Sequence, residues 1–109
     1  MATIEDFHKI EIKIGEILSA EKVENADKLF RLSVGFGEEI PRQIVSGIAM
    51  YFPDPQVLVG KKCAFCTNLE PRVIRGLESN GMILAVSTED EKFSLLQTNA
   101  DIPAGTQVK

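Results

Sequence analysis

Ile10, Ile12 and Ile14 alternate with Glu11 and Lys13, the two-residue period of a strand that turns one face to a core. Gly15 then predicts a bulge or bend before Ile17 and Leu18. Ser19 to Lys28 is polar throughout and reads as a loop. Phe30, Leu32, Val34 and Phe36 alternate with Arg31, Ser33 and Gly35, giving a second strand. Gly37, Glu38 and Glu39 predict a turn, and Ile40 to Ser46 a third strand, near enough to the second to make a hairpin. Pro41 lacks an N–H for a ladder and puts the start of that strand at an edge.

From Gly47 to Leu58 the apolar residues cluster without alternation, and Pro53 and Pro55 interrupt them, so the stretch reads as a short helix or two turns. Lys62 to Asn68 is a fourth strand, Leu69 to Asn80 a long polar and basic loop, and Gly81 to Val86 a fifth strand. An acidic turn at Glu89, Asp90 and Glu91 leads to a short sixth strand, Phe93 to Gln97, and Ile102 to Gly105 turns into a last extended piece. Short strands with Gly and Pro turns indicate an all-β domain. Three strands, a helical element and two more strands is the order of an OB fold. The expected architecture over residues 1–109 is therefore a five-stranded barrel, with a short helix between strands three and four and a C-terminal extension. In that fold ligands sit at the first-to-second and fourth-to-fifth connections, here Ser19–Lys28 and Leu69–Asn80.

The net charge of −4 argues against a generic nucleic-acid binder. The mean hides one segment, however. Lys61, Lys62, Arg72 and Arg75 stand against Glu70 alone between positions 61 and 75, so the charge pattern and the fold order select the same loop. No apolar run approaches a membrane span, and the first residues carry acids where a signal peptide would carry bases; the expected location is the cytoplasm.

Cys63 and Cys66 form a C-x-x-C, but the chain has one histidine and no second cysteine pair, so no zinc set is complete. The pair lies inside a predicted strand, where residues three apart face opposite ways. They are read as reduced packing cysteines. There is no Ser/His/Asp set, no Walker-type phosphate loop and no metal cluster, so the chain is read as non-catalytic and without a cofactor.

Ala26-Asp27-Lys28-Leu29, Arg42 to Ile48, Leu58 to Lys62, Asn68-Leu69-x-Pro71-Arg72 and Arg75-Gly76-x-x-Ser79-x-Gly81-Met82 stand in order along the chain. In these motifs the chain resembles the tRNA-binding domain appended to the C-terminus of many bacterial methionyl-tRNA synthetases. The same domain occurs in free-standing dimeric tRNA-binding proteins and in a chaperone-like protein. The resemblance implies a homodimer that binds tRNA, in or beside a methionyl-tRNA synthetase. A peptide-binding chaperone is the alternative, with Tyr51-Phe52-Pro53 as its candidate apolar spot. Phe93, Leu95, Leu96, Ile102 and Val108, beyond the five strands, need cover from a second copy or from their own barrel.

Lys28 ends the first ligand loop and either reaches a phosphate or pairs with Asp27 or Glu24; the resemblance favours the phosphate. Arg42 lies near the start of strand three, on a ligand-facing sheet or in a surface ion pair. Arg72 and Arg75 offer planar forks for phosphate or base. Asn68 either reads a base edge or braces the loop. The resemblance implies that Ser79 touches RNA, and that Met82 does so unless it fills the core. Gly76 and Gly81 are assigned to backbone geometry. With no Trp, one Tyr, and no aromatic in either ligand loop, stacking platforms are scarce. That favours recognition of structured RNA by shape and phosphates, with little sequence preference.

Overall fold

The computed structural model describes residues 1–109. It is all-β, mostly antiparallel, with little helix. Its strands are β1 (Ile12–Val23), β2 (Ala26–Gly35), β3 (Arg42–Ser46), β4 (Lys62–Cys66), β5 (Arg72–Ile74), β6 (Leu77–Ser79), β7 (Met82–Ile83), β8 (Ala85–Ser87) and β9 (Phe93–Leu95). One sheet runs β3-β2-β1-β4-β7, and β5-β6 and β8-β9 are separate two-stranded ribbons.

The long β1 organises this order. Its first residues pair with β4, from Ile12 opposite Cys66 to Glu16 opposite Lys62. From Glu16 onwards it pairs with β2. The alternating residues of β2 turn Phe30, Leu32 and Val34 into the core, where Ile17, Ile44, Leu58, Cys63 and Phe65 join them, all fully buried. Phe36 meets Phe65 edge to face, with centroids 5.3 Å apart.

Several expectations are corrected. Ser19–Lys28 is not a loop. The ladder runs on to Lys22 opposite Phe30, and only Glu24 and Asn25 turn the chain between Val23 and Ala26. A strand pair that projects past the core has no apolar face, so its sequence reads like a loop. The register slips at Leu18 rather than Gly15. The third strand starts at Arg42, leaving Ile40 three-quarters exposed. The fourth ends at Cys66, and the predicted fifth splits at Leu84 into β7, paired with β4, and β8, paired with β9. Between β3 and β4 lie two single 3₁₀ turns, Ala49–Tyr51 and Pro55–Leu58, because Pro53 and Pro55 deny a longer helix its N–H groups.

The expected barrel does not close. At the free edge of β3 the Val45 N–H donates to the Ser79 side-chain oxygen at 3.0 Å, where a closed ladder would offer a carbonyl. A short helix, α1 (Ile4–His8), was not foreseen; Thr3 and Asp6 form a capping box at its start.

The segment after Val86 belongs to its own chain's fold. Leu95 is in the core, and Gly105, Thr106 and Val108 make backbone hydrogen bonds to Ile14 and Ile12. What stays exposed is Leu96, with Val86 on the same hairpin.

Cys63 and Cys66 are both buried on β4, Cys63 within the core cluster. Burial pushes the Cys63 thiol up from 9.0 to about 11. The unfolded chain loses this proton first. The contribution is therefore complete below pH 9 and declines as pH rises from 9 towards 11, by up to about 1.4 kcal/mol per pH unit. Urea midpoints at the two ends of that range should fall less for Cys63→Ala than for the unsubstituted chain. Equal declines would show that the thiol ionises within the fold.

Candidate functional site

The predicted basic loop folds into the β5–β6 hairpin. Ile74 pairs with Leu77, leaving Arg75 and Gly76 as a two-residue turn. Both have positive φ, 52° and 79°, as a type I′ turn requires. Glycine adopts this freely. An arginine there accepts a strain of about 1–2 kcal/mol, and it projects from the tip.

The base of the hairpin is fastened to β3. Gln43 Nε2 donates to the Glu78 carbonyl at 2.9 Å, and the Asn80 N–H to the Gln43 carbonyl at 2.8 Å. Ser79 is 4% exposed; its hydroxyl accepts from Val45 N and donates to the Gly81 carbonyl at 3.2 Å. Its hydrogen-bonding capacity is thus used inside the fold. Ser79→Ala should lower stability by about 1–3 kcal/mol, as it leaves a buried N–H without a partner. A thermal melt within 1 °C of the unsubstituted chain would contradict this.

Arg42 is likewise engaged, at the far end of β3. Its guanidinium holds Glu38 through two hydrogen bonds, 3.0 and 2.9 Å, donates to the Thr67 carbonyl at 2.6 Å, and lies 5.3 Å from the Phe36 ring centroid. The hydrogen bonds from Arg42 keep Glu38 below the usual carboxylate range, and Glu38 in turn raises Arg42 further. Nearby, the Thr67 hydroxyl donates to Glu11 at 2.6 Å and lowers that carboxylate too. Asn68 accepts from the Glu11 N–H at 2.8 Å and donates to the Lys9 carbonyl at 2.9 Å, which is the bracing geometry. The surrounding cavity, ≈ 670 Å³, carries Glu38, Glu39 and the exposed Ile40 and Leu69.

The other cations behave differently. Of the twelve Lys and Arg residues, six form ion pairs. Four of the remaining six, Lys22, Lys28, Arg72 and Arg75, sit on the two hairpins β1–β2 and β5–β6. The hairpin tips meet there. Lys28 and Arg75 line one cavity of ≈ 540 Å³, together with Asn25 and Asp27. Arg75 also lines a second, ≈ 370 Å³, with Lys22, Arg31 and Glu24. Arg72 stands exposed at the base of its hairpin, opposite Ser79. Met82 is 45% exposed on β7, at neither tip.

Lys22 and Arg31 were missed. Arg31 carried a signal, since it alternates with the buried Phe30 and Leu32 and had to face outwards. Lys22, between Glu21 and Glu24, carried none. Tyr51 is partly exposed and stacks on Phe93 at 3.9 Å, while Phe52 packs edge-on against the same ring.

Comparison with known proteins adds the following. A family model described as "Putative tRNA binding domain" matches residues 12–107. The methionine–tRNA ligase of Caldanaerobacter subterraneus is 48% identical over 106 residues, covering 97% of this chain and 16% of the ligase. That of Methanospirillum hungatei is 50% identical over 107 residues, covering 98% of this chain and 15% of the ligase. The chain therefore spans about one sixth of the length of these relatives. Among solved structures, a MetRS-related protein from Pyrococcus horikoshii superposes with a TM-score of 0.92 at 39% identity, covering 100% of this chain and 98% of that one. The chaperone CsaA from Bacillus anthracis superposes with a TM-score of 0.88 at 29% identity, covering 100% and 99%.

Proposed function

This chain belongs to the tRNA-binding domain family, and from that premise we propose that it binds structured tRNA through its two hairpin tips, with little sequence preference and no chemistry of its own. One observation carries the reading: the cations left free of ion pairs gather where the tips meet. Phosphates are recognised by such charges without reference to base sequence. No aromatic side chain lines either tip cavity, which suits recognition of a folded RNA by its backbone. In this reading the open sheet is an OB-type scaffold and the tips are its two ligand connections. Lys28, Arg72 and Arg75 contact phosphate, and Met82 lies beside the path of the RNA. Arg42, Asn68 and Ser79 hold the scaffold in shape. The domain works in the cytoplasm, appended to a methionyl-tRNA synthetase or free-standing beside one.

A mobility-shift titration with unfractionated tRNA at two salt concentrations tests this. The expected result is moderate affinity that falls steeply with salt, with an exponent of about −0.7 to −0.9 per neutralised phosphate. Binding that ignores salt, or that selects one isoacceptor strongly, would overturn it.

The domain is also read as a homodimer that places two such surfaces on one RNA. Ile4, Phe7 and Ile10 at the N-terminus and Val86 and Leu96 on the β8–β9 hairpin are exposed apolar residues for the contact. Light scattering at micromolar concentration should report twice the chain mass, and a monomer would refute it. A second functional reading, peptide binding of a chaperone kind, is favoured by the likeness to CsaA and by the exposed Ile40 and Leu69 in the largest cavity. Competition between unfolded polypeptide and tRNA separates the two readings.

A further inference from the structure

The two cavities at the hairpin tips share a single lining residue, Arg75. We infer that Arg75 is the common wall of two anion clefts, which hold two phosphate groups of one nucleic-acid backbone: Lys28 completes the first cleft, and Lys22 with Arg31 the second. This rests on the tRNA-binding reading and deepens it.

The turn makes the sharing physical. Arg75 and Gly76 both have positive φ, so the arginine stands at the very tip of a ribbon whose base is pinned to β3 by three hydrogen bonds. A planar guanidinium presents donors along more than one edge, and can serve an acceptor on either side. The tip of β1–β2, at Glu24 and Asn25, faces it from the other hairpin; Asn25 lines the first cleft and Glu24 the second.

The second cleft already shows how an anion would be held. Arg31 Nε donates to Glu21 Oε1 at 2.7 Å, and its Nη2 donates to the same oxygen. Both partners are substantially exposed, so the pair contributes little and can be exchanged. A phosphate oxygen would take the place of that carboxylate oxygen. Lys22 has no carboxylate partner and adds the second charge. Arg42 is the contrast: its four protein contacts leave it nothing to exchange.

The test measures binding of unfractionated tRNA to Lys22→Ala, Lys28→Ala, Arg75→Ala, their pairs, and Glu21→Gln, all checked for folding by circular dichroism. Lys22→Ala and Lys28→Ala should each weaken binding by about fivefold and should combine multiplicatively. Each should combine with Arg75→Ala by less than the product, since each shares a phosphate with it. Glu21→Gln should tighten binding, by up to about fivefold, because it frees Arg31 and removes a competing charge. If the unsubstituted chain shows no salt-sensitive tRNA binding, the functional reading fails and takes this inference with it. If Lys28→Ala weakens binding while Lys22→Ala and Glu21→Gln leave it unchanged, the functional reading stands and the second cleft is overturned.

Discussion

Lys28→Ala, Arg72→Ala and Arg75→Ala introduced together are expected to weaken tRNA binding on the order of 100-fold at about 50 mM salt. All three cations lie outside the ion pairs of the fold, and all three sit on the β1–β2 and β5–β6 hairpins. Each phosphate they neutralise releases counterions, so the salt exponent should flatten by about 0.7–0.9 per residue, or roughly two to three in all. The loss should be similar for every tRNA, because backbone contacts carry no sequence information. Thermal stability should change little, since solvated surface residues rarely contribute more than about 0.5 kcal/mol. Lys92→Ala is the control. Lys92 sits in the β8–β9 turn beside Asp90, away from both tips, and its loss should leave binding unchanged. If the triple variant binds normally and Lys92→Ala does not, the wrong face of the domain has been chosen.

Gly105→Ala is expected to be the most damaging single substitution to the fold, on the order of 3 kcal/mol and roughly 15 °C in melting temperature. Gly105 has φ +94°, and a Cβ there would lie 2.4 Å from the Phe36 carbonyl oxygen. That oxygen is backbone and cannot swing aside. The tail would have to lift off, and with it the bonds from Gly105 N to Ile14 O (2.7 Å), Ile14 N to Thr106 O (2.8 Å) and Val108 N to Ile12 O (2.8 Å). Gly76→Ala is the matched comparison. It has a similar φ of +79° with nothing within 4 Å of the added carbon, so only the strain remains, about 1–2 kcal/mol. Melts followed by circular dichroism should therefore separate the two clearly. Equal losses would mean that the tail contact with Phe36 is not what Gly105 protects. At a temperature where both variants are folded, Gly105→Ala should bind tRNA as the unsubstituted chain does.

Where a face is buried, its pattern was readable from the chain. Phe30, Leu32, Val34 and Phe36 had to share a side because a strand repeats every two residues, and three of them are fully buried. The proline-broken stretch after β3, the buried cysteines on β4 and the basic character of residues 61–75 followed from local rules of the same kind. The family, too, was legible, because its motifs are linear. Lys28, Arg72 and Arg75 could be named because unpaired charge near a predicted turn is a local property.

What the tertiary structure decided is everything that depends on which distant residue fills a partner's place. Ser19–Lys28 looked like a loop because polarity on both faces cannot distinguish a loop from a hairpin that outruns its core. Whether a polar side chain faces ligand or fold is equally invisible along the chain. Arg42 is turned inwards by Glu38 and the Thr67 carbonyl, and Ser79 is buried under the edge of β3, 34 residues from the N–H it serves. The tail beyond Val86 needed apolar cover by its composition, but only the path of the backbone past Ile14 shows that its own chain supplies most of it. Lys22 and Arg31 joined the site for the same reason: a cation acquires a role from the charges left unpaired around it, and those neighbours come from other strands.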